Sequence, residues 1–520
     1  MPMAAIHKAL PILEDYDISP MTGFLPQDEP LKILPDPYFA PWEETFRNFN
    51  GLLLASRLRQ RVNELPLLDA ARLATKGEQR RGYLILCMLS HAYVWGKHEL
   101  AAESLPATLA VPWQKVADML EIQPVLTHAA VVMWNWQLLY KDGPRDLNNL
   151  DTLATLSGSS DESWFYLVTT AIEATGAPAL RRILRAMQLV RDNEVTELIQ
   201  ELEDIRGIIE ELVAVLRRMF EKCDPYVFYW KVRPYLAGWE NMAEAGLPNG
   251  VKYEGVDNGE YKKLAGGSAA QSSLIHTLDI AFGVEHHPTG FRPKGASTPA
   301  PGPAHNHYND ASDVAAKATP KEGGSKSNNF IQKMRFYMPG PHRSFLTHLT
   351  EVANIRQFVS AKAAETSRSE EVIKLITVFD ECVHQIKVFR DVHIQMVTLY
   401  IVMQANRGPS ISHGGFAQQP KPAHPAEGNH DVAEEMRSAS LSPSPTASNT
   451  AGSKGSSILY PQKVIAHTPT GLAKKQEAGN EVVRGTGGTD LIPFLRQSRD
   501  ETNDSKIIPT PVWTKKTVSA

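Results

Sequence analysis

One histidine of the chain stands where a metal ligand is expected. His342 follows Pro339, Gly340 and Pro341, which fix a turn and place the histidine in the first turn of a helix. The positive end of the helix dipole disfavours the imidazolium form, so the neutral ring keeps the nitrogen lone pair that a haem iron requires of an axial ligand. The alternative is a surface histidine that only caps its helix.

An arginine among aromatic residues could bind an amino acid. Tyr229 and Arg233 are one helical turn apart on the same face, and Pro234 is expected to kink the helix there. A guanidinium offers a forked donor to a carboxylate, and aromatic rings offer flat apolar surfaces, which together match the two halves of an aromatic amino acid. The alternative is an aromatic core stripe with a salt-bridged arginine.

Two glycine-rich runs, at residues 265–273 and 485–490, could approach a flat ligand closely or close over one. Neither ends in the Gly-Lys-Ser/Thr of a phosphate loop and no strand pattern precedes them, which argues against nucleotide binding. Plain flexible loops are the alternative. The sequence also has no His-Glu-x-x-His or Gly-x-Ser-x-Gly motif, so zinc-protease and serine-hydrolase chemistry have no support.

The elements that would position these residues are helices. Apolar residues recur at three- and four-residue spacing from about residue 44 to residue 140, with interruptions at Pro112, Pro124 and the turn at residues 141–144. A second helical block begins near Ser163. Within it, long amphipathic helices are predicted between residues 180 and 220. A further long helix is predicted to run through residues 372–401. Strand patterns are nearly absent, so we predict an all-α fold.

We predict a small N-terminal helical domain at residues 1–156 that caps a larger helical domain at residues 157–406. An insert at residues 286–329 is rich in Pro, Gly, Ala, Ser and Asn, a composition that cannot bury enough surface to offset the entropy of ordering. The tail at residues 407–520 begins with the same composition and carries the second glycine-rich motif at residues 485–491. Insert and tail are both predicted to be flexible.

Composition narrows the class of protein. The 520 residues are 42% hydrophobic, and 54 Lys and Arg against 58 Asp and Glu give a net charge of -4 without a basic run, so nucleic acid is not an expected partner. Three widely separated cysteines support neither a disulfide framework nor a zinc site and fit a reducing compartment. Because we find no signal peptide or membrane-spanning pattern, we expect a cytoplasmic protein without a membrane partner.

These segments together resemble the indoleamine 2,3-dioxygenase family. By eye the likeness covers roughly residues 15–285 and 330–405, and the motifs occur in the family's order. They lie at residues 92–97, 110–113, 233–239, 266–268, 271–273, 337–346 and 485–491.

The resemblance implies a small domain over a haem-binding catalytic domain, and a monomer that uses haem b, with Fe2+ in the active form, and O2. Its expected activity is the oxidation of L-tryptophan, with other indoleamines also possible substrates, to N-formylkynurenine. This reaction is the first step of the kynurenine pathway toward NAD. The rival hypotheses are a haem- or tryptophan-binding sensor or scaffold with little turnover, and a helical scaffold without a cofactor.

The resemblance also implies roles for single residues. His342 matches the proximal iron ligand, and Arg233 matches the arginine that receives the substrate carboxylate. The other matched residues are Phe165, Phe228 and Tyr229 in the distal substrate pocket, Gly267 and Ser268 in the loop near haem and substrate, Asp279 on the helix after that loop, at the cofactor, and Thr489 in the mobile substrate loop.

Two positions depart from the family pattern. Thr169 stands where several relatives have a distal serine, so it keeps a hydroxyl for catalysis but narrows the pocket by one methyl group. His128 stands where some relatives have a tyrosine, and it could either contact the substrate or pack in the core. Both changes affect substrate range and efficiency more than reaction type.

Overall fold

The computed structural model describes residues 8–97, 99–290, 330–407, 474–477, 480–483, 485–486 and 490–508. These residues are mainly helical, which confirms the all-α prediction. They fall in one unit, formed by residues 1–408 and 467–520, and the predicted division after residue 156 stays a prediction. Residues 291–329 of the predicted insert and 408–473 of the predicted tail lie outside the described residues. Within the described ranges, no helix has the length and apolarity needed to cross a membrane.

A buried helix lies at the centre of the N-terminal part. Helix α4 begins with a capping box in which the Thr75 hydroxyl accepts a hydrogen bond from the Glu78 amide at 3.2 Å, and residues 84–89 are fully buried on all sides. Pro112 lies inside α5 and does not end it, which corrects the predicted interruption there. The helices are α1 (Ala40–Arg47), α2 (Phe49–Leu54), α3 (Leu58–Asn63), α4 (Lys76–Trp95) and α5 (Ala107–Met119).

Three long helices form the framework of the C-terminal part. They are α6 (Ser160–Asp192), α7 (Val195–Arg217) and α15 (Glu370–Val397), and α7 packs against both of the others. Asn193, with φ of 58°, ends α6 in the left-handed conformation. The buried stripe of α7 has helical spacing, as the sequence predicted, and each buried aliphatic side chain contributes about 2 kcal/mol. The stripe is Leu198, Leu202, Ile205, Ile209 and Leu212.

Shorter elements connect these helices. The strands are β1 (Ser104–Leu105), β2 (Trp136–Leu138), β3 (Leu150–Thr152), β4 (Val251–Tyr253), β5 (Tyr261–Lys262), β6 (Lys474–Glu477) and β7 (Asn480–Val483). They pair in the orders β1-β4-β5, β2-β3 and β6-β7. The remaining helices are α8 (Met219–Lys222), α9 (Pro225–Val227), α10 (Arg233–Leu236), α11 (Ser273–Ala281), α12 (Phe330–Met334), α13 (Gly340–Val352), α14 (Ile355–Ala363), α16 (Met403–Arg407) and α17 (Leu491–Asp504).

Single π-helical turns interrupt the helical segments at three places in the described residues: Ala129–Met133, Phe228–Val232 and Thr398–Val402. Such turns insert one residue into the helical repeat and are frequent at functional sites because they re-aim side chains. The second ends just before Arg233, so the irregularity expected from Pro234 is present as a π turn on the N-terminal side of the proline. The third follows α15 directly, where the sequence predicted one continuous helix.

Candidate active site

Arg233 is a buried cation beside an aromatic ring. Its side chain is enclosed, with only 2% of the residue exposed, and its guanidinium carbon lies 5.7 Å from the centre of the Tyr229 ring. Burial lowers the pKa of Arg233 to about 10, and the interaction with Tyr229 opposes this shift. The group remains charged at neutral pH, as the binding of a carboxylate requires.

Three aromatic rings, one of them five residues before Arg233, pack together. The Phe228 ring lies 4.8 Å from the Phe165 ring and 5.7 Å from the Tyr400 ring. The Tyr400 hydroxyl donates a hydrogen bond to the carbonyl of Cys223 at 2.5 Å, which fixes its ring behind Phe228. Phe165 and Phe228 were predicted to lie together; Tyr400 was missed, because its contact depends on the fold.

Thr169 lies one turn after Phe165 on α6. Its hydroxyl donates to the carbonyl of Phe165 at 3.0 Å, a bond within the helix that leaves the oxygen able to accept. The hydroxyl is thus directed along the helix that carries Phe165. A catalytic role of Thr169 stays a prediction.

The two glycine-rich runs meet in the structure. The Gly266 amide donates to the Thr486 carbonyl at 3.2 Å, and the Thr486 hydroxyl donates to the Gly267 carbonyl at 2.6 Å. On its other side the loop is held by the Gly267 amide, which donates to the Leu236 carbonyl at 3.1 Å, one turn beyond Arg233. The Ser268 hydroxyl accepts from the Ala270 amide at 3.2 Å. Ligand contacts of Gly267 and Ser268 stay predictions, and Thr489 lies outside the described residues.

Close backbone approach explains the glycine at position 266. A Cβ atom there would lie 2.2 Å from the Leu236 carbonyl oxygen and 2.4 Å from the Gly238 amide nitrogen, so the two segments would have to separate. We expect Gly266→Ala to lower the free energy of unfolding by about 2 kcal/mol or more in a urea titration. The control is Gly207→Ala in α7, where nothing lies within 4 Å, and which should stabilise the helix by about 1 kcal/mol. Equal stabilities would contradict the close approach.

His128 is buried in a polar network. Its Nε2 lies 2.9 Å from Glu173 Oε1, which also accepts from the Ser272 hydroxyl at 2.7 Å. The Gln271 amide side chain accepts from the His128 backbone amide and donates to the Gly266 carbonyl, both at 2.9 Å. His128 therefore connects α6 with the glycine-rich loop. This observation favours the packing role over direct contact with a substrate, and its substrate-binding role stays a prediction.

An axial iron ligand needs a ring nitrogen that no other group occupies. His91, His276 and His286 use both ring nitrogens in hydrogen bonds. Among the other interior histidines in the described part of the chain, His128, whose Nε2 pairs with the buried carboxylate of Glu173, is less suited to this role than His342 and His393.

His342 lies in the first turn of α13, as predicted, but its ring is enclosed. The residue is 1% exposed, its ring packs edge-on against Phe24 at 5.0 Å, and Nε2 lies 3.4 Å from the carbonyl oxygen of Asp17. Desolvation lowers the pKa of His342 to about 4, so the ring is neutral, and Nδ1 has no hydrogen-bond partner among the residues that the structure describes. The neutral imidazole of His342 agrees with the protonation state predicted from the sequence. The tight packing against the N-terminal segment, however, argues against a porphyrin at this ring.

His393, on α15, was missed by sequence reasoning. Burial lowers its pKa to about 4, with a further contribution from Arg390, yet part of its surface is exposed and no hydrogen bond to its ring occurs among the described residues. The ring of His393 is therefore surrounded by protein and is still partly accessible. Two turns further along the chain, Tyr400 contacts Phe228, so this helical segment reaches the aromatic cluster.

Asp279, which was predicted to lie at the cofactor, forms an ion pair with Arg390 on α15, the helix that carries His393. Arg390, one turn before His393, donates from Nη2 to both carboxylate oxygens of Asp279, at 2.8 and 2.7 Å. The Arg390 cation and His286 hold the pKa of Asp279 well below its usual range despite burial. Asp279 and His393 are thereby linked through one arginine, whereas no contact in the described structure links Asp279 to His342.

Comparison with known proteins gives a consistent result. The family model "Indoleamine 2,3-dioxygenase" matches residues 12–505. An indoleamine 2,3-dioxygenase of Saccharomyces cerevisiae is 35% identical over 95% of this chain and 94% of its own length. A 6-hydroxytryptophan 2,3-dioxygenase of Fusarium equiseti is 32% identical over 76% of this chain and 86% of its own. Human indoleamine 2,3-dioxygenase 2 is 29% identical over 97% of this chain and 98% of its own length.

Proposed function

Because the chain belongs to the indoleamine 2,3-dioxygenase family of haem-dependent oxidoreductases, we propose that it oxidises L-tryptophan with O2 to N-formylkynurenine. The reaction cleaves the C2–C3 bond of the indole ring. The observation that carries this proposal is the buried Arg233 cation, which lies over the Tyr229 ring and five residues after Phe228, whose ring packs against Phe165. A carboxylate site next to flat apolar surfaces suits an aromatic amino acid.

We propose His393 as the residue that holds the cofactor, ferrous haem b. Burial lowers the pKa of His393 so that the ring is neutral at physiological pH, the described residues form no hydrogen bond with the ring, and the residue is partly accessible, whereas His342 is enclosed by Phe24 and the N-terminal segment. Arg390 and Asp279, one turn away, fix this part of α15. When bound, the haem supplies the activation of O2, and the protein supplies orientation and exclusion of water.

The protein's own residues bind and orient the substrate. Arg233 receives the carboxylate through its forked donors, while Phe165 and Phe228 contact the faces of the indole ring. The Gly266–Thr486 hydrogen bond joins the two glycine-rich runs, and with substrate bound they would exclude water from the site. Thr169 offers a hydroxyl oxygen on the helix of Phe165.

The proposal also covers the preferred substrate, the oligomeric state and the cellular compartment. One relative is named for 6-hydroxytryptophan, so substituted indoles are the competing substrates, and the methyl group of Thr169 favours the unsubstituted ring because it narrows the pocket. We further propose a monomer in the cytoplasm. The free, buried state of Cys87, Cys223 and Cys382 supports a reducing compartment.

One experiment tests the function. The purified protein should show a haem spectrum, and addition of reductant, O2 and L-tryptophan should yield N-formylkynurenine. A coloured protein that binds tryptophan without product would favour the sensor over the enzyme. A colourless protein that takes up no added haemin would contradict the proposal.

A further inference from the structure

A buried cluster of charges joins three helices beside the proposed haem site. His286, shortly after α11, places Nε2 3.1 Å from Asp279 Oδ2 and Nδ1 2.8 Å from Glu501 Oε2 on α17. Arg390 on α15 completes the cluster through Asp279. The side chains of Asp279, His286 and Glu501 are all buried, so these contacts are shielded from solvent screening.

The geometry favours a positive charge on His286. A neutral imidazole has one N–H and one lone pair, so it could donate to only one of the two carboxylates and would direct its lone pair at the other. The imidazolium donates to both, and two cations then balance two carboxylates. In agreement, the hydrogen bonds to Asp279 and Glu501 raise the pKa of His286 against the effect of burial. The titratable and charged groups that face it are Asp279, Arg390, Glu501, His287 and His276.

Helix α17 also contacts Arg390 directly. Arg390 donates from Nη1 to the Thr502 hydroxyl at 2.5 Å and from Nη2 to Asp279, so its guanidinium is held between α17 and α11. Gln497 donates to Glu501 Oε1 at 2.8 Å and to the His287 carbonyl at 3.1 Å, which holds the carboxylate in place. The position of Arg390, one turn from His393, thus depends on the docking of α17.

We propose that His286 and Glu501 are positioning residues for the haem site: the doubly donating His286 holds α17 against Asp279 and Arg390, and thereby fixes the part of α15 that carries His393. This inference rests on the proposed function, because it takes the site of His393 as the haem site. His286 and Glu501 touch neither haem nor substrate; they act through Arg390.

The pH dependence follows from the raised pKa of His286 in the folded protein. The stabilisation is fully present below the ordinary histidine pKa of about 6.5 and is lost as the pH rises through the higher folded value. Haem loss from the wild-type holoprotein, measured by transfer to excess apomyoglobin, should therefore accelerate from pH 6 to pH 9. No variant is needed for this measurement, so a misfolded mutant cannot obscure it.

The matched variants are His286→Gln and His287→Gln. His287 is half-exposed, and its ring contacts Glu501 at 3.3 Å without reaching Asp279. His286→Gln should lose haem about tenfold faster at pH 6, as expected for one lost charge-assisted buried contact, and should show a flat pH profile. His287→Gln should behave like wild type. Hydrogen exchange of residues 491–504 in the holoprotein should be faster in His286→Gln alone.

Three results would overturn the proposal: wild-type haem loss that does not change with pH, wild-type rates in His286→Gln, or faster exchange in α17 without faster haem loss. A failure of the proposed haem site is recognised separately, because wild-type protein would then bind no haem, or His393→Ala would retain it. In that case the proposed positioning role of His286 and Glu501 would also be wrong.

Discussion

His393→Ala should be purified without haem and should show no Soret band after added haemin is removed by gel filtration. The imidazole of His393 would be the protein's ligand to the iron, so its loss should remove the main contribution to haem retention. His393 combines a neutral ring, whose pKa is lowered to about 4 mainly by burial, with a partly accessible surface.

The control for this experiment is His342→Ala, which tests the first candidate ligand directly. Its ring packs against Phe24 and the Asp17 carbonyl, so its removal should leave a cavity and lower the free energy of unfolding by about 1–3 kcal/mol, while the Soret band remains. If His342→Ala lost haem and His393→Ala kept it, the assignment proposed here would be wrong and the sequence-based one right. Haem retention in both variants would contradict both.

Sequence periodicity predicted the fold well because it reports local burial. The helical stripe of α7 lies on its buried face, and the turn before His342 places that residue in the first turn of α13. The local rule that proline ends a helix failed at Pro112, the sixth of the thirteen residues of α5, where the missing amide removes one hydrogen bond without ending the helix.

The site was harder to predict because its contacts join distant parts of the chain. The contact of His342 with Asp17 spans 325 residues, and it decides that the ring faces the N-terminal segment. The sequence identified both glycine-rich runs, but not that Thr486 bonds Gly267 across 219 residues. One signal could have revealed His393: it follows Arg390 by three residues on a mostly apolar helix, and two ionisable residues on one face of such a helix are costly unless they have partners or a ligand.

Arg233→Ala should reduce kcat/KM for L-tryptophan by roughly 100-fold, mainly through KM, because a charge-assisted, two-pronged contact with the substrate carboxylate is lost. Tryptamine has no carboxylate, so its kcat/KM should change much less. Arg233→Lys keeps the positive charge but not the two parallel N–H donors, so its kcat/KM for L-tryptophan should lie between those of wild type and Arg233→Ala. Lys231→Ala, an exposed position in the preceding π turn, controls for nonspecific effects and should match wild type. Equal losses for tryptophan and tryptamine would mean that the Arg233 cation, buried beside Tyr229, supports the pocket without binding the carboxylate.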